Sequence, residues 1–151
     1  MGLSKQFATD VSLETKGITI DYGTDRIKIA RAGGANKKYE KLLEAKTKHL
    51  RRALVVGAVG NEQSMAILRE VFAETIMLGW EVNTGTEADP KWEKGIDPKD
   101  AGEVGEKLLP CNPSNYKKVF INLPDLFLDI QQQARAGALF RQEINEAQAG
   151  N

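Results

Sequence analysis

The chain has 151 residues, with 21 Lys and Arg balanced by 21 Asp and Glu, one His and one Cys. At 41% apolar and 28% charged it reads as one globular domain over residues 1–151, with no apolar run near the roughly 20 residues of a membrane span. The lone Cys111 excludes an internal disulfide framework, and the lone His49 excludes a multi-histidine metal site built within one chain.

The first sixteen residues mix polar and apolar side chains without a clear period, and they lack the apolar core of a secretory signal. They begin Met-Gly, but Gln6 stands where the myristoylation pattern wants Ser or Thr, so the cytoplasm is the expected address. Ile18-Thr19-Ile20 and Arg26-Ile27-Lys28-Ile29-Ala30 alternate with period two around the turn-type stretch Asp21-Tyr22-Gly23-Thr24-Asp25, which predicts a β-hairpin. Gly33-Gly34 then breaks the chain. Asn36, a good N-cap, opens a helix with Tyr39, Leu42, Leu43, Leu50, Ala53 and Leu54 on its apolar face, ended by Gly57 and Gly60. A second helix starts at Asn61 or Glu62 and stops near Gly79, burying Met65, Leu68, Phe72 and Ile76, with Ile67, Val71 and Leu78 broadening the stripe. Trp80-Glu81-Val82 follows as a short extended piece.

Residues 83–110 hold four glycines, three prolines and many acids, and read as a long, acidic, mobile loop with a hairpin as an option around Trp92 and Ile96. A third helix is expected over 114–122 after Pro113, broken at Leu123-Pro124-Asp125. The last helix should run over about 125–146 with Leu126, Phe127, Ile130, Ala134, Leu139, Phe140 and Ile144 as apolar points, followed by a frayed tail at 147–151. The expectation is a mainly α fold of about four helices with a small N-terminal antiparallel β-hairpin, α+β being the alternative.

No reaction announces itself. His49 lies among Lys46, Lys48, Arg51 and Arg52 with no carboxylate in that stretch to orient its ring, so it reads as a solvated helix-face histidine. Gly33-Gly34 before a basic helix invites a phosphate, yet it lacks the spacing and terminal hydroxyl of a P-loop, and a turn needing glycine is the better reading. Asp125, Asp129, Glu143 and the acids of the 83–106 stretch read as solvating charges, without a calcium-loop signature. Catalytic, cofactor and metal residues are therefore none.

Charge layout says more. Residues 26–52 carry ten Lys and Arg against two acids, and residues 81–106 carry eight acids against three lysines. The neutral chain is divided into a basic half and an acidic segment. Lys38, Lys41, Lys48, Arg51 and Arg52 are candidate partner-binding residues on the basic helix, against a solvated-face alternative. Phe127 and Phe140 are core by default and interface candidates second. Small residues around Gly137 would let another helix approach, within the domain or between subunits.

Three stretches carry a resemblance: Ile29-Ala30-Arg31-Ala32-Gly33-Gly34-Ala35-Asn36-Lys37-Lys38-Tyr39, Ala73-Glu74-Thr75-Ile76-Met77-Leu78-Gly79-Trp80-Glu81 and Leu123-Pro124-Asp125-Leu126-Phe127-Leu128-Asp129-Ile130-Gln131. In this order they resemble tail assembly chaperones of long-tailed bacteriophages. The resemblance implies a non-enzymatic protein of the host cytoplasm that binds the tape measure protein and helps recruit tail tube subunits, with homo-oligomers an option and no membrane partner. A head–tail joining component of the virion, or a nucleic-acid-binding regulator using the basic helix, is the alternative.

Overall fold

Ile18–Asp21 (β1) and Asp25–Ile29 (β2) form the expected hairpin, with Ile18 opposite Ile29 and Ile20 opposite Ile27, in a computed structural model that describes residues 2–50 and 60–141. Period-two alternation puts all four isoleucines on one face, where Ile27 and Ile29 are fully buried and Ile18 and Ile20 pack partly buried against the core. Gly23 supplies the positive φ of the turn, and its amide donates to Asp21 Oδ1 at 2.8 Å.

Two more strands extend the hairpin. Met77–Asn83 (β3) pairs with β2 and Trp92–Lys94 (β4) pairs with β3, all antiparallel, giving a four-stranded sheet of order β1-β2-β3-β4. Six α-helices lie among the described residues: Leu3–Gln6 (α1), Val11–Lys16 (α2), Lys37–Thr47 (α3), Asn61–Thr75 (α4), Pro113–Asn122 (α5) and Pro124–Arg135 (α6). The expectation of a mainly α protein with only a small hairpin is thereby corrected: the fold is mixed α+β.

The correction turns on Ile76-Met77-Leu78. Three consecutive apolar residues satisfy a helical stripe and a strand equally, so period alone extends the preceding helix through them. In the fold α4 ends at Thr75, whose hydroxyl donates to Val71 O at 2.7 Å, and the chain turns into β3. Trp80 then faces inward opposite Ile27, 3% exposed. A bulge at Lys28/Ile29 pairs Lys28 with Gly79 and Ile29 with Met77, leaving Leu78 as the extra residue, 44% exposed.

Elsewhere the differences are local. Asp10 accepts from Ser12 N at 2.8 Å and Gly17, at φ +92°, ends α2, so a short helix stands where no period was visible. Residues 83–110 are not one loop. They contain β4, a 3-10 turn over Pro98–Ala101, a bridge between Ile96 and Leu109, and a fully buried Ile96. The last helix stops at Arg135 rather than near 146; a 3-10 turn, Gly137–Phe140, follows, and a Cβ on Gly137 would come 3.3 Å from Arg31 Nη2. Expected features at Ala53, Leu54, Gly57, Glu143, Ile144 and 147–151 lie outside the described residues.

Helices α3 to α6 cover the inner face of the sheet. Phe72 of α4 is the centre: Tyr39 of α3 meets it edge-on at 5.8 Å and Phe127 of α6 at 5.6 Å, while Phe127 stacks on Phe120 of α5 at 4.4 Å. Trp80 stacks near Tyr116 at 6.5 Å, joining the sheet to α5.

Candidate functional site

On α3, Tyr39 is buried and Leu42 and Leu43 are partly buried against the core, which fixes the opposite face outward. Lys38, Lys41 and, in the 3-10 turn that continues the helix, Lys48 are exposed and, with exposed Ala45, follow helical spacing along one stripe about 15 Å long. None of the three lysines forms an ion pair with a described residue, whereas Lys37 pairs with Glu40 at 3.5 Å and Lys46 with Glu70 of α4 at 3.2 Å. The structure thus brings three of the five expected basic residues together; Arg51 and Arg52 lie outside the described residues.

Phe127 and Phe140 go elsewhere. They are 1% and 0% exposed, so as placed they pack the chain and present nothing to a partner. Asp129, expected as a solvating charge, accepts a hydrogen bond from the Tyr22 hydroxyl at 2.5 Å, and burial together with this bond pushes the Tyr22 pKa up. The aligned rings of Trp80 and Tyr116 sit beside Cys111, and burial first, then Cys111, raises the Tyr116 pKa. Asp100 is also held above its ordinary value, by burial first and then by Asp25 and Asp97.

The outer face of the sheet is a second surface, which the sequence reading did not single out. Pairing aligns Asp21, Arg26, Glu81 and Lys94 in one row across all four strands, and Thr19, Lys28 and Gly79 in the next. Arg26 leans 3.6 Å from Asp21 and covers the Trp92 ring at 3.9 Å. Between the rows is an open cleft of 620 Å³ over Gly79, with Lys28, Lys94, Arg26 and Glu81 around it and Leu78 in its wall. Glycine inside a strand costs about 0.5–1 kcal/mol relative to alanine. The outward alternation of Arg26 and Lys28 was the available signal; β4, three residues with no apolar alternation, was what hid the face.

Buried polar groups lock the N-terminal segment to this frame. Glu14, 2% exposed, pairs with Arg31 and accepts from Thr9 Oγ1 at 3.0 Å. Gly34, at φ +55°, lies so close that a Cβ there would run into the Glu14 carboxylate, so this turn requires glycine. Asn36 turns its side chain inward instead of capping α3. Among the described residues there is no group of His, Cys, Asp and Glu arranged to hold a metal ion, and no helix long and apolar enough to cross a membrane.

Residues 34–151 match the family described as YdaY prophage protein, most of the chain, starting just after the β2 hairpin. The chain belongs to that family. Its origin is therefore a bacteriophage. No curated protein and no solved structure matches.

Proposed function

We propose that this phage protein is a tail assembly chaperone, which binds the tape measure protein in the host cytoplasm and helps recruit tail tube subunits by non-covalent contacts alone. Membership of a prophage family supports the setting. The observation that carries the reading is where the three resembling stretches meet. The first runs from β2 into α3, the second from the end of α4 through β3, and the third along α6. Ala30 N donates to Ile76 O at 2.8 Å, joining the first two stretches; Phe127 of the third reaches Phe72, just before the second, and Ala32 N of the first donates at 2.9 Å to Ala134 O, just past the third. Stretches far apart in sequence thus lie close together in the fold, which supports reading them as one unit. On that frame the α3 lysines are an exposed charged surface, suited to a protein partner.

Co-expression with the tape measure protein of the same gene cluster tests this. The chaperone reading expects the client to become soluble and to elute with this chain as one complex. A client that stays insoluble, with no complex recovered, overturns it. Purified virions that contain this chain would point instead to a head–tail joining component.

A further inference from the structure

Gly79 is a glycine that the fold itself does not require. It sits inside the central strand β3, its φ is not positive, and a Cβ built there would meet only Lys28 Cβ, at an ordinary 3.8 Å. Neither the bulge nor the packing of the sheet therefore excludes a side chain. Glycine inside a strand marks a bulge, such as the one beside Gly79, or a place where another chain or a ligand comes close. Above it lies the 620 Å³ cleft, and Lys28 on β2 and Lys94 on β4 flank it from the two neighbouring strands, both exposed. Neither lysine forms an ion pair with a described residue, while Arg26 is already engaged by Asp21 and Trp92.

We infer that the outer sheet face is a docking site for an acidic, extended segment of a partner protein, whose backbone crosses Gly79 and whose carboxylates meet Lys28 and Lys94. Strand spacing of about 4.8 Å and a residue rise of about 3.3 Å put the two lysines roughly 12 Å apart at Cα, close to the ~13 Å between positions i and i+4 of an extended chain, which share one face. Three cations against the single Glu81 around the cleft set the sign of the occupant. A protein segment fits better than a nucleic acid, because Glu81 and Asp21 interrupt the row that a continuous phosphate backbone would follow. Trp92, the aromatic ring of this face, already has one side occupied by Arg26. The inference stands apart from the tape measure protein: another acidic partner would satisfy it.

The test titrates the isotope-labelled full chain with a synthetic peptide of alternating Glu and Thr and follows backbone amide resonances. The amide of Gly79 and those of its neighbours on β2 and β4 are expected to shift together. Gly79→Val, whose Cβ would meet Lys28 Cβ at an ordinary 3.8 Å, puts a branched side chain into the cleft and should weaken binding at least tenfold while the melting temperature holds. Lys28→Glu with Lys94→Glu should abolish binding of the Glu-Thr peptide and confer binding of a Lys-Thr peptide, and this pair decides the matter if Gly79→Val fails to fold. Unmoved Gly79 resonances, or variants that bind like the parent, overturn the inference. So does an oligothymidylate that occupies the same face more tightly than the peptide. Loss of the tape measure complex with the peptide titration intact would count against the chaperone reading alone.

Discussion

Asn36 and Thr75 are joined across the fold: Asn36 Nδ2 donates to the Thr75 carbonyl at 3.2 Å and to the Arg31 carbonyl at 2.9 Å. One amide group thus ties the start of α3 to the end of α4 and to the turn after β2. Two carbonyl acceptors fix which end of the amide is the nitrogen. Asn36→Ala is expected to cost about 1–3 kcal/mol, since it leaves buried carbonyls without a partner. Asn36→Asp separates this role from capping. Aspartate caps a helix as well as asparagine does, so a capping residue would tolerate the change. A tether would not, because a carboxylate would face two carbonyl oxygens. Chemical denaturation of the two variants checks this; an Asn36→Asp protein as stable as the parent would sink the tether.

Asn36 also shows what was legible in the sequence. It was readable as the place where α3 begins, and it is; the direction of its side chain depends on Thr75, 39 residues away, which no local pattern records. The hairpin was legible because Ile18, Ile20, Ile27 and Ile29 alternate over a turn with glycine. β3 was legible only in its second half, as the extended Trp80-Glu81-Val82, because Ile76-Met77-Leu78 fits two periods; β4 stayed an optional hairpin around Trp92, because Trp92-Glu93-Lys94 has no period. Lys38, Lys41 and Lys48 were legible as a face since helical spacing alone places them. The sheet-face cleft assembles from four strands, so it came into view only with the pairing register.

Phe127 gives a direct contrast between core and interface. It is 1% exposed and touches the rings of both Phe72 and Phe120. Phe127→Ala should destabilise by about 3–5 kcal/mol, through lost burial and the cavity left behind. Thermal unfolding measures it. A melting temperature close to the parent's, with only partner binding lost, would return Phe127 to an interface role.

Glu14 and Arg31 form a pair whose acidic member is buried, its side chain 3% exposed against 24% for the arginine. Removing one partner strands the other's charge, so Glu14→Ala is expected to cost about 3 kcal/mol. Arg31→Ala should cost a similar amount, and the double variant clearly less than the two together. The Glu14 side chain, through Arg31 and Thr9, reinforces the main-chain bond from Arg31 N to Glu14 O at 3.0 Å that an alanine would keep, so limited proteolysis of Glu14→Ala should cut near Gly17 before the core yields. Costs that simply add would show that the two residues act independently.

Asp100 makes stability depend on pH. Its carboxyl is held above the ordinary 3.8 by burial and then by Asp25 and Asp97, so the folded chain keeps this proton where the unfolded chain has lost it. Stability from this group is full below the unfolded value and declines as pH rises through the raised folded value. Asp100→Asn removes that decline. Denaturation at pH 4 and pH 7 should show the variant gaining on the parent at pH 7 and not at pH 4. A gain of equal size at both would assign the effect to packing.

The α3 lysines separate solvation from recognition. Lys38, Lys41 and Lys48 are exposed and have no described ion-pair partner, and even paired surface charges contribute only about 0–1 kcal/mol. Reversing all three to Glu should therefore leave thermal unfolding nearly unchanged. The chaperone reading expects the reversed protein to lose association with the tape measure protein or with a neighbouring subunit, tested by recovery of the co-expressed complex. A nucleic-acid role makes a different demand: the parent must bind DNA or RNA at low salt, with affinity falling steeply as salt rises, and the variant must not. The expected outcome is weakened protein association with no specific nucleic-acid binding by the parent. Tyr39, the one aromatic side chain of this helix, is buried against Phe72 and leaves no ring on which a base could stack. If the reversed protein keeps its partners and its stability, the stripe is a solvated face, and recognition must lie elsewhere on the molecule.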